Sequence, residues 1–98
     1  IRVFRPGVYR VVFNLWTTDA LYAANGRIYR NGTAYGTERS TFSTSAVTFT
    51  EDLYFADNDT VELWIACATA ISPEYYAYTN YLALCFDLAL VHAQVANA

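Results

Sequence analysis

Residues 8–17, with the sequence Val-Tyr-Arg-Val-Val-Phe-Asn-Leu-Trp-Thr, decide the fold class of this chain. Every second side chain from Tyr9 to Leu15 is large and apolar, whereas the positions between them include Arg10 and Asn14. A period of two is typical of a β-strand that buries one face and leaves the other less covered. We therefore predict that the chain is built from half-buried strands.

The rest of the chain alternates between β-prone segments and turn signals. Asn-Gly pairs at 25–26 and 31–32 predict two tight hairpin turns, because a type I′ turn needs positive φ at both central residues. Residues 57–59, Asp-Asn-Asp, predict a third turn whose side chains satisfy the local backbone. The predicted strands are residues 8–17, 21–24, 27–30, 33–36, 47–55, 60–71 and 81–91, with a loop and short edge strand over 37–45 and an aromatic loop over 75–80. This order predicts one all-β domain over residues 1–98, an antiparallel sandwich of two sheets.

The composition indicates a folded protein that assembles with partners. Hydrophobic residues make up 55% of the 98 residues and charged residues 15%, against a usual charged fraction of about 25%. The net charge is −3 and no basic cluster exists, so we expect no nucleic-acid partner. No apolar run reaches the roughly 18 residues of a membrane helix, so we expect no membrane insertion. A surface so poor in charge either exposes apolar area or covers it with partners.

The sequence offers little for catalysis, so we predict that the protein is not an enzyme and holds no cofactor or metal. His92 is the one histidine, and no Gly-x-Ser-x-Gly elbow is present. The acidic turn at 57–59 lacks a distant Glu that would complete a Ca²⁺ site. Cys67 and Cys85 lack Cys-x-x-Cys spacing, and the predicted strands place them on faces of different character. We expect two buried free thiols.

Four segments resemble the globular head of complement-type and tumour-necrosis-factor-like proteins, a group that includes the jelly-roll tips of phage fibres. They are residues 4–13 (FRPGVYRVVF), 28–32 (IYRNG), 59–64 (DTVELW) and the closing apolar strand at 81–91. The resemblance implies a jelly-roll sandwich. It also implies a non-enzymatic trimeric head of a fibre or extracellular protein, which mediates attachment or assembly outside the cell or on a virion surface.

The chain departs from this family at two points. Asn58 stands where the family has Gly, and Asn is compatible with positive φ. The family's first strands lie upstream of the Pro-Gly motif, and four residues precede Arg5 here, so we expect the sandwich to lack its first strands within this chain. Missing strands leave an edge and a groove that a donated strand can fill. The alternative hypothesis is a pilus-like subunit of an extracellular filament, assembled by β-strand donation between copies.

Two predicted strands carry the expected contact between subunits. In residues 81–91 one face holds large side chains, and the opposite face is small and mostly apolar, unlike a strand that faces water. The resemblance implies that this strand and residues 8–17 share the sheet that forms a threefold contact, where Arg10 would pair with Asp87. The predicted interface residues are Arg10, Val12, Asn14, Trp16, Ala83, Cys85, Asp87 and Ala89.

The tyrosine-rich loop is a second predicted contact surface. Tyrosine provides large, rigid contact area with a polar tip, which suits a cell-surface receptor, a glycan or a neighbouring subunit. The alternative is that these side chains cover one end of the core. The predicted contact residues are Tyr75, Tyr76, Tyr78 and Tyr81.

Two Asn-x-Thr triplets are candidate glycosylation sites. They begin at Asn31 and Asn58, and each coincides with a predicted turn. Their use depends on the host.

Overall fold

The computed structural model describes residues 1–67 and 77–86 of the chain, and it confirms an all-β sandwich. Within these residues, eight strands form two antiparallel sheets that pack face to face. The strands are β1 (Gly7–Thr17), β2 (Ala24–Arg30), β3 (Thr33–Ala34), β4 (Arg39–Thr41), β5 (Val47–Phe55), β6 (Val61–Cys67), β7 (Ala77–Tyr78) and β8 (Leu82–Phe86).

Each sheet is organised around one central strand. In the first sheet β1 pairs with β5 on one side and with β8 and β7 on the other. In the second sheet β2 pairs with β6 on one side and with β3 and β4 on the other. The pairings of β1 with β5 and β8 therefore bring the middle and the end of the described chain to its two edges.

The predicted apolar stripe of β1 forms the centre of the core. Val11, Phe13 and Leu15 are at most 1% exposed, and they pack with Ile28 of β2 and Phe55 of β5. The apolar face of β8 contributes partly buried leucines to the same cluster. In β1 and in β8, the side chains that face the core are the ones that the alternation of the sequence predicts.

The predicted turn at Asn25-Gly26 is wrong, because both residues lie inside β2. Gly26 faces the opposite sheet, and a Cβ atom there would lie 2.9 Å from Leu15 Cδ1 and 3.3 Å from Phe13 Cε2. The glycine thus allows close approach of the two sheets, which is the other common reason for a glycine within a strand.

The predicted short strand at residues 21–24 is also wrong over most of its length. The Leu21 amide donates to Asp19 Oδ1 at 2.9 Å, and the Tyr22 amide donates to the Asp19 carbonyl at 3.0 Å. These bonds form a turn closed by an aspartate side chain. The segment therefore forms a turn that precedes β2, although its residues favour strands.

The other predicted turns are confirmed by backbone conformation. Asn31 and Gly32 have φ angles of 51° and 80° and connect β2 to β3. Asn58 has a φ of 70°, as its position in the acidic turn requires. The predicted strand 47–55 coincides with β5. Residues 68–71 and 87–91 of the last two predicted strands lie outside the described residues.

Candidate functional site

The predicted interface residues that the structure describes meet on the outer face of the first sheet, which we call the β1 face. Strand pairing places Arg10 opposite Cys85 and Val12 opposite Ala83. This register confirms that the first and last predicted strands are neighbours in one sheet. Asp87 and Ala89 lie outside the described residues. The β1 face consists of Val8, Arg10, Val12, Asn14, Trp16, Thr48, Thr50, Asp52, Tyr54, Tyr78, Ala83 and Cys85.

The β1 face exposes apolar side chains at one end. Val8 is 40% exposed and Tyr54, directly opposite it on β5, is 49% exposed. Val12 and Ala83 are half-buried, although their side chains point away from the core. A small protein that leaves such side chains open on one sheet face presents a candidate interaction surface.

The β1 face carries a charged pair that the sequence did not predict. The Arg10 guanidinium donates to both carboxylate oxygens of Asp52, at 3.0 and 3.2 Å. This hydrogen bonding raises the pKa of Arg10 and lowers the pKa of Asp52. The predicted pairing of Arg10 with Asp87 stays a prediction, because Asp87 lies outside the described residues. The observed pair leaves no net charge at this place on the face.

Asn14 organises the segment between β7 and β8. Its Nδ2 donates to Asn80 Oδ1 at 2.6 Å, and its Oδ1 accepts from the Asn80 amide at 3.0 Å and from Thr79 Oγ1 at 3.1 Å. These bonds fix a connection that follows Tyr78 and contains Tyr81, two of the predicted tyrosine contacts. Asn14 therefore orders this part of the β1 face through hydrogen bonds within one copy of the chain.

The predicted tyrosine surface joins the β1 face where the structure describes it. The ring of Tyr78 stacks on Trp16 with centroids 5.6 Å apart and planes 20° apart. Tyr81 is 54% exposed, and its carbonyl accepts a hydrogen bond from the Asn14 amide at 3.4 Å. The two surfaces that the sequence treated separately are thus continuous. Tyr75 and Tyr76 lie outside the described residues.

The cysteines are free, as predicted, but they are not both buried. Cys67 is half-buried on the inner side of β6, whereas Cys85 is exposed on the β1 face. The expectation of a buried Cys85 is wrong because no described layer covers the outer face of β8.

The two sequon asparagines lie in different surroundings. Asn31 Nδ2 donates to Asp59 Oδ1 at 2.8 Å, and its Oδ1 accepts from the Thr60 amide at 2.9 Å. Asn58 is exposed at the tip of its turn. Attachment of a sugar to Asn31 would replace one hydrogen of the nitrogen that binds Asp59. Glycosylation at both positions stays a prediction.

The described residues contain no cluster of three or more His, Cys, Asp or Glu side chains arranged to hold a metal ion. In the same part of the chain, no helix has the length and apolarity needed to cross a membrane. Comparison with protein-family models, curated proteins and solved structures finds no match for this chain.

Proposed function

We propose that this domain is a non-enzymatic structural and binding module that assembles with copies of itself through the β1 face. The trimeric form expected from the resemblance would make it a head on a fibre or extracellular protein, working in attachment or assembly outside the cell or on a virion. The observation that carries this proposal is the exposed apolar area around Val8 and Tyr54.

The chemistry of the β1 face supports contact between identical copies. Ala83 and Cys85 are small, so a neighbouring sheet can approach β8 closely. Arg10 and Asp52 neutralise each other within one copy, so the same residues on a second copy meet no uncompensated like charge. Stacked Trp16 and Tyr78 add aromatic surface of the kind that is enriched at protein interfaces.

The substitution Ala83→Glu tests this proposal. It places one carboxylate per copy at the centre of the contact, where burial and like-charge repulsion are expected to cost about 3 kcal/mol or more. The dissociation constant should therefore rise more than about 100-fold. Light scattering after size exclusion should show an oligomer for the wild type and a monomer for the variant.

The matched control is Ala66→Glu, which introduces the same side chain at an exposed position of β6 in the other sheet. It should leave the oligomer intact. A wild-type chain that is monomeric at working concentration, or an Ala83→Glu variant that keeps the wild-type mass, would contradict assembly through the β1 face.

Strand donation is a second candidate because of the free side of β6. Val61 exchanges backbone hydrogen bonds with Ile1, at 2.7 and 3.0 Å. Because amides alternate in direction along a strand, the amides of Leu63, Ile65 and Cys67 point to that same side. Among the described residues, no strand pairs with them there. In strand donation, an antiparallel strand from another copy would pair with these amides.

The substitution Cys67→Pro separates the two candidates. Proline removes an amide that faces the free side of β6, and edge positions of this kind tolerate proline. Assembly by strand donation should weaken at least about 10-fold, the equivalent of one lost hydrogen bond of about 1.4 kcal/mol. Assembly through the β1 face should not change, as sedimentation velocity would show.

A further inference from the structure

A groove of about 240 Å³ opens on the outer face of the second sheet, on the opposite side of the sandwich from the β1 face. Strands β2 and β6 form its base, and the segment before β4 forms one side. The side chains that line it include Asn25, Arg27, Tyr29, Glu38, Trp64 and Ala66.

An ordered aromatic pair stands at this groove. The rings of Tyr29 and Trp64 are 4.4 Å apart and within 2° of parallel. Trp64 is nevertheless 53% exposed. The stacking restricts the indole to one orientation, so the side chain loses little conformational entropy when a ligand packs on it. A flat apolar surface of this kind suits the C–H face of a pyranose ring.

Polar groups lie beside the aromatic pair. Arg27 is paired with Trp64 across the strands, and its Nε donates to the Gly36 carbonyl at 2.6 Å, which orients the guanidinium. Ser40 Oγ donates to Asn25 Oδ1 at 2.5 Å, which likewise fixes the amide. Glu38 adds a carboxylate to the lining. The groove thus offers several donors and acceptors in fixed positions, with one positive and one negative charge.

We propose that this groove binds a neutral sugar unit of a glycan. Drug-sized ligands fill clefts of about 300–1,000 Å³, so the smaller groove fits one or two sugar rings. The balanced charges of Arg27 and Glu38 disfavour phosphate or a polyanion, which require excess positive charge. An aromatic platform with convergent hydroxyl-binding groups is the complement of a neutral polyol with one apolar face.

The experiment follows the two indole N–H signals of the protein, which belong to Trp16 and Trp64, the two tryptophans of the chain. Cellotetraose, chitotetraose and N-acetyllactosamine are titrated to about 10 mM into the ¹⁵N-labelled wild-type domain. We expect at least one probe to shift the Trp64 signal saturably, with a dissociation constant near 1 mM, about −4 kcal/mol. The Trp16 signal should stay in place.

Trp64→Ala should weaken binding at least about 10-fold, and the matched control is Phe42→Ala, which removes an exposed aromatic ring outside both the groove and the β1 face and should bind like the wild type. The amide spectra of both variants establish that they are folded, and Trp64 is exposed enough to be replaced. The proposal is overturned if no neutral probe shifts Trp64, if Trp64→Ala binds as tightly as the wild type, or if heparin binds and the neutral sugars do not. These outcomes do not depend on assembly through the β1 face.

Discussion

Replacement of Gly26 by valine is expected to lower the free energy of unfolding by about 2 kcal/mol, a large part of the stability of a small domain. The first added carbon would lie 2.9 Å from Leu15 Cδ1, and Leu15 is completely buried, so it has no open space to enter. Valine favours strands more than glycine does, by up to about 1 kcal/mol. Overpacking is the larger effect, so the net change is destabilising.

The matched control for Gly26→Val is Asn25→Val, one residue earlier on the same strand. Asn25 points outward and accepts a hydrogen bond from Ser40 Oγ on the surface, so this change should alter stability by about 0.5 kcal/mol or less. Urea unfolding followed by circular dichroism compares the two variants. Equal midpoints would show that Leu15 and Phe13 can move to admit a side chain.

The variant Asp59→Asn should lower the melting temperature by more than about 5 °C at neutral pH, the equivalent of roughly 1 kcal/mol or more for a domain of this size. Asp59 is 6% exposed. It accepts hydrogen bonds from Arg30 Nε at 2.6 Å, the Ala56 amide at 2.7 Å and Asn31 Nδ2 at 2.8 Å. An asparagine has one acceptor oxygen in place of two, so it leaves at least one of these donors facing another donor.

The effect of Asp59→Asn should depend on pH. The hydrogen bond from Asn31 holds the pKa of Asp59 below its ordinary value of 3.8, with help from Ala56 and Arg30 and against the effect of partial burial. A carboxylate with a lowered pKa stabilises the fold at pH values above its ordinary pKa, and this contribution is lost as the pH falls through the folded-state pKa. The difference in melting temperature between Asp59→Asn and the wild type should therefore become smaller below about pH 4.

The exposed neighbour Asp57 supplies the control for this experiment. Asp57→Asn removes the same charge from the same turn and should change the melting temperature by less than about 2 °C at neutral pH. Thermal unfolding at several pH values between 3 and 7 compares the three proteins. If Asp59→Asn follows the Asp57 variant at every pH, the buried hydrogen bonds of Asp59 contribute no stability.

The sequence predicted the features that depend on local order. The period of two in residues 8–17 placed Val11, Phe13 and Leu15 in the core, because side-chain alternation is a property of a single strand. The same alternation, together with the resemblance, placed Ala83 on the outer face of the sheet that contains β1.

Features that depend on two distant segments were not predictable in the same way. The pairing of Arg10 with Asp52 requires the register between β1 and β5, and the stacking of Tyr29 on Trp64 requires the register between β2 and β6. The Asn25-Gly26 pair has the local signature of a turn, and only the distance between the two sheets explains why it lies within a strand. The groove beside Trp64 could not be predicted either, because it depends on the same register between β2 and β6.

The central position of β1 has a consequence for the order of folding. Its pairing with β8 joins residues that are far apart in the chain, as in Tyr9 with Phe86 and Phe13 with Leu82. Closing so long a loop costs entropy before any contact compensates for it, and folds dominated by such pairings form in milliseconds to seconds. During synthesis the apolar stripe of β1 leaves the ribosome well before β8, so it lacks this partner while most of the described chain is being made. We expect the nascent domain to need protection from aggregation until β8 has left the ribosome.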